Sequence, residues 1–300
     1  MTKMTSLKDA VERFVHEGDL VYASGFTHLI PFAAGHEIIR QRISSLTLAR
    51  ATPDLIYDQM VAAGCARKII FSYMGNPGVG SLHRLRAGIE TGALEWEEYS
   101  HFSMISRLRA GASGLPFMPM NPTGALDLIS QNPNYKHIQD PYTGERVVVV
   151  PPLKPDVAII HVQRADGQGN AQVWGILGEQ QLAAFASQRV ILTVEEVVDE
   201  AVIRSDPNRT LIPGLVVDAV CHVPYCAHPS YTQGYHDRDN EFYLAWDEIG
   251  KTQAGVQAYL DEWVYDLPDR NAYWEKLGVE VHQRLSAGER LSDPVNYGDY

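Results

Sequence analysis

An α/β fold built on a largely parallel sheet is predicted by three features of this sequence. Short apolar runs alternate with longer stretches of helical periodicity, the pattern of successive βαβ units. The 300 residues are 45% hydrophobic and 21% charged, enough to bury one large core or two modest ones. Finally, "RVVVVPPL" and "DVAIIHVQ" are apolar enough to be central strands covered on both faces.

Taken in order, Thr5 or Ser6 caps a first helix whose Leu7, Ala10, Val11, Phe14 and Val15 share one face. Gly18-Asp19 closes it, and "LVYAS" follows as a strand. "PFAAGHEIIRQRI" is the second helix, with Pro31 acceptable in a first turn where its missing N–H goes unused. Strand "LTLAR", helix "PDLIYDQMVAAG" closed by Gly64, strand "RKIIFSYMG" and helix "GSLHRLRAGIETG" continue the alternation. "LEWEEYS" and "FSMISRLRAGASG" repeat it once more. From about 115 to 146, Pro, Asn and Gly break the pattern, and an irregular loop region is expected. "RADGQGNAQVWG" then reads as a hairpin turning at Asp166-Gly167 and Gly169-Asn170. "EQQLAAFASQ" is a helix, "RVILTVEEV" and "GLVVDAVCHVP" are strands, and "TQAGVQAYLDEWV" and "NAYWEKLGVEVHQRL" are closing helices. The expected organisation is a single domain over residues 1–285, followed by a polar tail at 286–300.

A net charge of −12 argues against nucleic acid as a partner, since phosphate neutralisation needs a basic surface. Small polyanions remain accessible through local arginines or helix N-termini. The opening "MTKMTSLKDAVERF" lacks the apolar segment of a signal peptide, and no run approaches the ~18 apolar residues of a membrane span. Three cysteines are too few, and odd in number, for a disulfide framework. A cytoplasmic protein with no membrane partner is expected.

Four stretches carry candidate chemistry. In "ASGFTHLIP", Gly25 lets the backbone approach a ligand at a strand end, with the amides of Phe26 and Thr27 turned toward it; a plain strand–helix turn is the alternative. "GNPGVGS", Gly75 to Ser81, precedes a helix whose N-terminus can hold a phosphate or carboxylate, with Ser81 as cap. Its spacing is neither a dinucleotide fingerprint nor a P-loop. "EEYSHF" sets Glu98, Ser100 and His101 at a strand end, where α/β folds build sites. If the strand runs through, Glu98 and Ser100 share one face while His101 takes the other. A histidine there serves as base, as donor, or as a structural hydrogen-bonding group. "CHVPYCAH" offers Cys221, His222, Cys226 and His228, but without the closely spaced pairs of a structural zinc site, and no metal is expected. His161, ending an apolar strand, reads as a core or interface histidine; Arg107 and Arg109, two apart on a helix, read as a solvated helix face, with either one meeting phosphates as the alternative.

The ordered set "GDLVYASGF…P", "SYMGNPGVGS", "EEYSHF", "GLPFMPM", "PDVAIIHVQRADGQGN", "DPNRTLIPGLVVDAV" and "AHPS" resembles the α subunit of family I CoA transferases, in particular its glutaconate CoA-transferase-like branch. The resemblance spans about Leu7 to Gly278. It implies a CoA-transferase (NagB/RpiA-like) fold and an obligate β subunit of the same fold, as αβ or α2β2. It further implies an active site shared between the subunits, in which a β-subunit glutamate attacks the acyl-CoA thioester. The motif carrying that glutamate is absent from this sequence, so the chain looks like the half without the nucleophile. CoA is then a substrate, and no resident cofactor is implied. In this context Ser24, Gly25, Phe26, Thr27, His28, Ser72, Asn76, Gly78, Glu98 and Ser100 are the expected substrate- or CoA-binding residues. The branch also holds CoA-thioester hydrolases that cleave steroid rings, and decarboxylases. A motif-anchored alignment puts the hydrolases' base on His101, the one catalytic candidate in this chain. The sequence departs from the family at Ser24, where a glycine is usual, and at Cys226, where a small residue is usual.

Overall fold

The computed structural model describes residues 2–76, 78–121 and 126–289. Ser6 caps the first helix, α1 (Leu7–Phe14), its hydroxyl accepting from the Asp9 amide, and Ala10, Val11 and Phe14 turn inward. Strand β1 (Leu20–Ala23) and helix α2 (Phe32–Arg40) follow. Pro31 stands at the helix's N-cap position, one place before its first turn. Then come β2 (Leu46–Ala49), α3 (Leu55–Ala62), β3 (Ala66–Phe71), α4 (His83–Glu90), β4 (Glu95–Glu98) and α5 (His101–Ala112). The chain continues through β5 (Met118–Met120), α6 (Leu126–Gln131), β6 (Lys136–Gln139) and β7 (Arg146–Val150) to the long strand β8 (Val157–Ala165). The final part holds β9 (Ala171–Gln172), α7 (Gln180–Ala186), β10 (Arg189–Val197), α8 (Glu200–Ser205), β11 (Thr210–Ile212), β12 (Ala219–His222) and helices α9 (Asn240–Ile249), α10 (Gln253–Leu260), α11 (Arg270–Leu277) and α12 (Val279–Arg284).

Seven strands run parallel in the order β4-β3-β2-β1-β8-β10-β12, and β9 and β11 add antiparallel pairs beside β8. The strand order reverses beside β1: the chain first steps outward to β4 and then returns to place β8 on the other side. Side-chain alternation splits the core in two. Val21, Leu48 and Ile159 face the layer of α1, α2, α3 and α10, whereas Tyr22, Ala49, Ala158 and Ile160 face α5 and α7. The predicted α/β class, with a largely parallel sheet between helices, is therefore the observed one.

Several local expectations need correction. The span 115–146 is not irregular: β5 and β6 pair with β7 in a separate three-stranded antiparallel sheet, and α6 lies between them. Arg146–Val150 thus leaves the central sheet, because its buried Val148 and Val150 complete the core beside α5. "NAYWEKLGVEVHQRL" is two helices, broken at Gly278, whose φ of +85° no continuing helix permits. The sequence pattern also passed over α8 and α9. Residues 290–300 of the expected tail, and Pro77 and residues 122–125, lie outside the described residues.

Candidate functional site

The turn after β1 is built around Gly25. Its φ is +119°, and a Cβ there would stand 2.7 Å from the carbonyl oxygens of both His28 and Leu29, so only glycine fits. Thr27 and Leu29 also hold positive φ, 54° and 57°. Such strain, about 1 kcal/mol or more at each residue, persists where surrounding contacts over-determine it. Here Ser230 donates to the Thr27 carbonyl at 2.8 Å, and the Leu29 amide donates to the Tyr231 carbonyl at 3.0 Å. His28 locks the turn from inside. Its ring stacks on Tyr231 with centroids 4.7 Å apart, and Nε2 accepts from the Gln233 amide at 3.0 Å. Nδ1 therefore carries the proton and donates to the Ile176 carbonyl at 3.1 Å. Burial drives the His28 pKa down to about 4, keeping the ring neutral.

A cleft of ≈ 320 Å³ opens where the C-terminal ends of β1 to β4 meet. Phe26 and Thr27 line it from the first turn, Asn76 from the loop after β3, and His101 from the first residue of α5. Arg50, Thr52 and Asp54 come from the segment just after β2, Tyr73 from the loop after β3, Arg238 from just before α9 and Tyr243 from its first turn. The Arg50 side chain is 1% exposed, and its Nη2 donates to the Gly25 carbonyl at 2.6 Å. Its Nε and Nη1 are buried without a hydrogen-bond partner, as is Asn76 Nδ2. Asp54 is already engaged: it accepts from the Leu55 amide at 2.7 Å, capping α3, and from the Tyr243 hydroxyl at 3.0 Å. His101 Nε2 lies 2.8 Å from the Thr52 hydroxyl, and Arg238 lies over the Tyr243 ring at 4.1 Å.

Four of the sequence-predicted residues, Phe26, Thr27, Asn76 and His101, therefore share this cleft, and Gly25 shapes it from behind. The others are placed elsewhere. Ser24 and His28 are enclosed in the core. Ser72 donates its hydroxyl to the Ala51 carbonyl at 2.6 Å, and Gly78 sits out on the loop with φ +82°. Glu98 faces a separate cavity beside Trp96 and Asn132. Ser100 caps α5, accepting from the Ser103 amide at 3.1 Å. His101 begins that helix, so the strand-face argument pairing Glu98 with Ser100 ends with the strand at Glu98.

The glycine-rich loop holds a carboxylate, but an internal one. Asp58 Oδ1 accepts from the amides of Arg84 and Leu85, both at 2.8 Å, and Asp247 accepts from the Ser81 amide at 2.9 Å. Leu82, not Ser81, occupies the N-cap position, and the helix terminus expected to meet a ligand is satisfied from within. Among the described residues, no group of three or more His, Cys, Asp or Glu is arranged to hold a metal. His161 lies mid-strand in β8 rather than at its end, bonded through Nδ1 to Thr193 at 3.0 Å and through Nε2 to Glu195 at 2.9 Å. Of the lining residues that sequence reasoning missed, Arg50 left a signal, a charge closing the apolar run "LTLAR". Arg238 and Tyr243 left none, because tertiary folding alone brings α9 to the strand ends.

Comparison with known proteins places residues 4–222 in a match to the Coenzyme A transferase family. The chain is similar to the A subunit of 3-oxoadipate CoA-transferase from Pseudomonas knackmussii, with 50% identity over 280 residues, 92% of this chain and 99% of the relative. The crystal structure of glutaconate coenzyme A-transferase from Acidaminococcus fermentans superposes with a TM-score of 0.88 at 36% identity, covering 96% of each chain. A cholesterol ring-cleaving hydrolase subunit of Mycobacterium tuberculosis is more distant, at 27% identity over 86% of this chain and 91% of the relative.

Proposed function

Because the chain belongs to the coenzyme A transferase family, we infer that it is the α subunit of a heteromeric CoA transferase, an enzyme that moves CoA between an acyl-CoA and a carboxylic acid. Similarity along nearly the full length of both chains carries this assignment. The cleft at the ends of β1 to β4 gathers donors, while the one carboxylate among its described lining residues, Asp54, is committed to a helix cap and a tyrosine. A site of that composition polarises and holds a thioester but does not attack it. We therefore assign the nucleophile to a partner of the same fold, the β subunit, joined as αβ or α2β2 in the cytoplasm, with CoA as substrate and no resident cofactor. The partner's glutamate attacks the thioester carbonyl, expels CoA thiolate and becomes an acyl anhydride. CoA thiolate then attacks the glutamyl carbonyl, the first acid leaves, and the second acid reverses both steps. The relatives' names specify 3-oxoadipate and glutaconate, both dicarboxylic acids, and a dicarboxylic substrate is proposed here too.

The test is coexpression with the cognate β subunit, followed by an exchange assay with glutaryl-CoA and a panel of carboxylic acids. Acyl exchange, and a borohydride-trappable glutamyl-CoA on the β subunit, are expected; the absence of both overturns the reading. His101 in the cleft favours a second reading, a CoA-thioester hydrolase, C–C lyase or decarboxylase using it as base. Hydrolysis or decarboxylation without exchange, abolished by His101→Ala, would be its signature.

A further inference from the structure

We propose that Arg50 recognises the distal carboxylate of a dicarboxylic acyl group, the carboxylate that does not form the thioester, and that Asn76 completes this subsite. The inference rests on the transferase reading and adds to it a ligand group and the residues that read it.

The end of β2 delivers the Arg50 guanidinium beneath the cleft floor, where it is 1% exposed. One nitrogen, Nη2, is committed to the Gly25 carbonyl, while Nε and Nη1 are buried and unpartnered. Asn76 Nδ2 is a third buried, unpartnered donor on the same cleft, supplied by the loop after β3. Every one of these unused groups is a donor. An unpaired buried donor costs about 1–3 kcal/mol, and more when charged, so an arrangement of three matches an incoming acceptor rich in oxygen. The local charge points the same way. Among the described lining residues Asp54 is the one carboxylate that shares the cleft with Arg50, and no ion pair joins the two. A guanidinium excluded from water and flanked by a neutral amide suits one planar, singly charged carboxylate. A phosphate of CoA brings more charge than this buried site neutralises.

The consequence is selection. A monocarboxylic acyl chain entering the cleft leaves the guanidinium desolvated and unpaired, whereas a dicarboxylic one satisfies it. A site built to hydrogen-bond a substrate group rejects the analogue lacking that group more strongly than a merely apolar pocket does.

The experiment compares kcat/KM for glutaryl-CoA, its monomethyl ester and pentanoyl-CoA in the complex with the β subunit, each also as the dephospho-CoA thioester. The wild type is expected to prefer glutaryl-CoA over both analogues. In Arg50→Met the ratio of glutaryl to pentanoyl turnover is expected to fall about 10- to 100-fold, the loss of one or two charge-assisted hydrogen bonds. Asn76→Asp, which turns a donor into a like charge, is expected to lower the same ratio about 10-fold, and stands independently if Arg50→Met melts early. A wild type that transfers both acyl classes equally overturns the proposal while leaving the transferase reading intact; one that transfers neither overturns both. The proposal also fails if Arg50→Met lowers both classes in parallel, leaving Arg50 only a prop for the Gly25 carbonyl. It fails equally if the lost turnover follows the 3′-phosphate of CoA rather than the acyl carboxylate.

Discussion

At Gly25 the backbone itself shapes the cleft. A methyl group there meets two carbonyl oxygens at 2.7 Å, on a φ of +119° that L-residues avoid. Gly25→Ala is expected to cost about 1–3 kcal/mol in a urea titration and to lower CoA transfer further, because the displaced turn carries Phe26 and Thr27 on the cleft wall. His28 supports that turn as a neutral ring. An NMR titration of its imidazole is expected to find it unprotonated until the pH nears 4, against an ordinary value of 6.5. Since the folded pKa is depressed, this stabilisation is fully present above pH 6.5 and is lost as the pH falls from 6.5 through about 4. The glycine was legible in the sequence because its conformation is a property of the residue type. His28 was not, since the groups that enclose it, Ile176, Tyr231 and Gln233, lie far along the chain.

Among the elements, α4 shows how a correct local reading can name the wrong occupant. The helix N-terminus that follows "GNPGVGS" does present amides to a carboxylate, but the carboxylate belongs to Asp58 on the neighbouring α3, and the loop's own Ser81 amide goes to Asp247. Asp58 also accepts from the Trp246 indole at 3.2 Å, so one side chain ties α3, α4 and α9 together. Asp58→Ala is expected to cost about 1–3 kcal/mol by chemical denaturation, as two buried amides lose their acceptor. Asp58→Asn should recover much of that loss, because the amide oxygen still accepts from both; equal losses in the two variants would contradict this account. Strand β7 was likewise legible only in part. Its apolar run announced a buried strand, yet pairing with β5 and β6, which nothing in "RVVVV" encodes, moved it out of the central sheet.

Across the whole molecule, the parallel strands β8 and β10 carry a buried polar network. Glu195 on β10 accepts from His161 on β8 at 2.9 Å, from the Thr232 hydroxyl at 3.1 Å and from the Tyr225 amide at 2.7 Å, with His236 at 3.6 Å. Burial alone would raise the Glu195 carboxyl, but its bond to His161 and the nearby His236 hold it well below the usual carboxylate range. Burial likewise opposes protonation of His161, yet Cys226 and Glu195 outweigh it and raise its pKa to about 10. A raised folded pKa gives stabilisation that is complete below pH 6.5 and declines as the pH rises through about 10. Melting temperature is therefore expected to fall across that interval, and to fall less steeply in His161→Gln. Glu195→Gln, which leaves a buried charged histidine without its partner, is expected to cost about 3–5 kcal/mol. What the sequence by itself determined is the α/β class, the strand–helix alternation up to α5, the Gly25 turn and the resemblance to the CoA transferases. Those follow from hydrophobic periodicity, from residue-specific backbone preference and from motifs read along the chain. What only the tertiary structure decided is which polar groups face the cleft and which are consumed inside the protein. Arg50 keeps unused donors while Asp54, Asp58 and His28 are satisfied, because hydrogen-bond partners are set by the packing of elements distant in sequence.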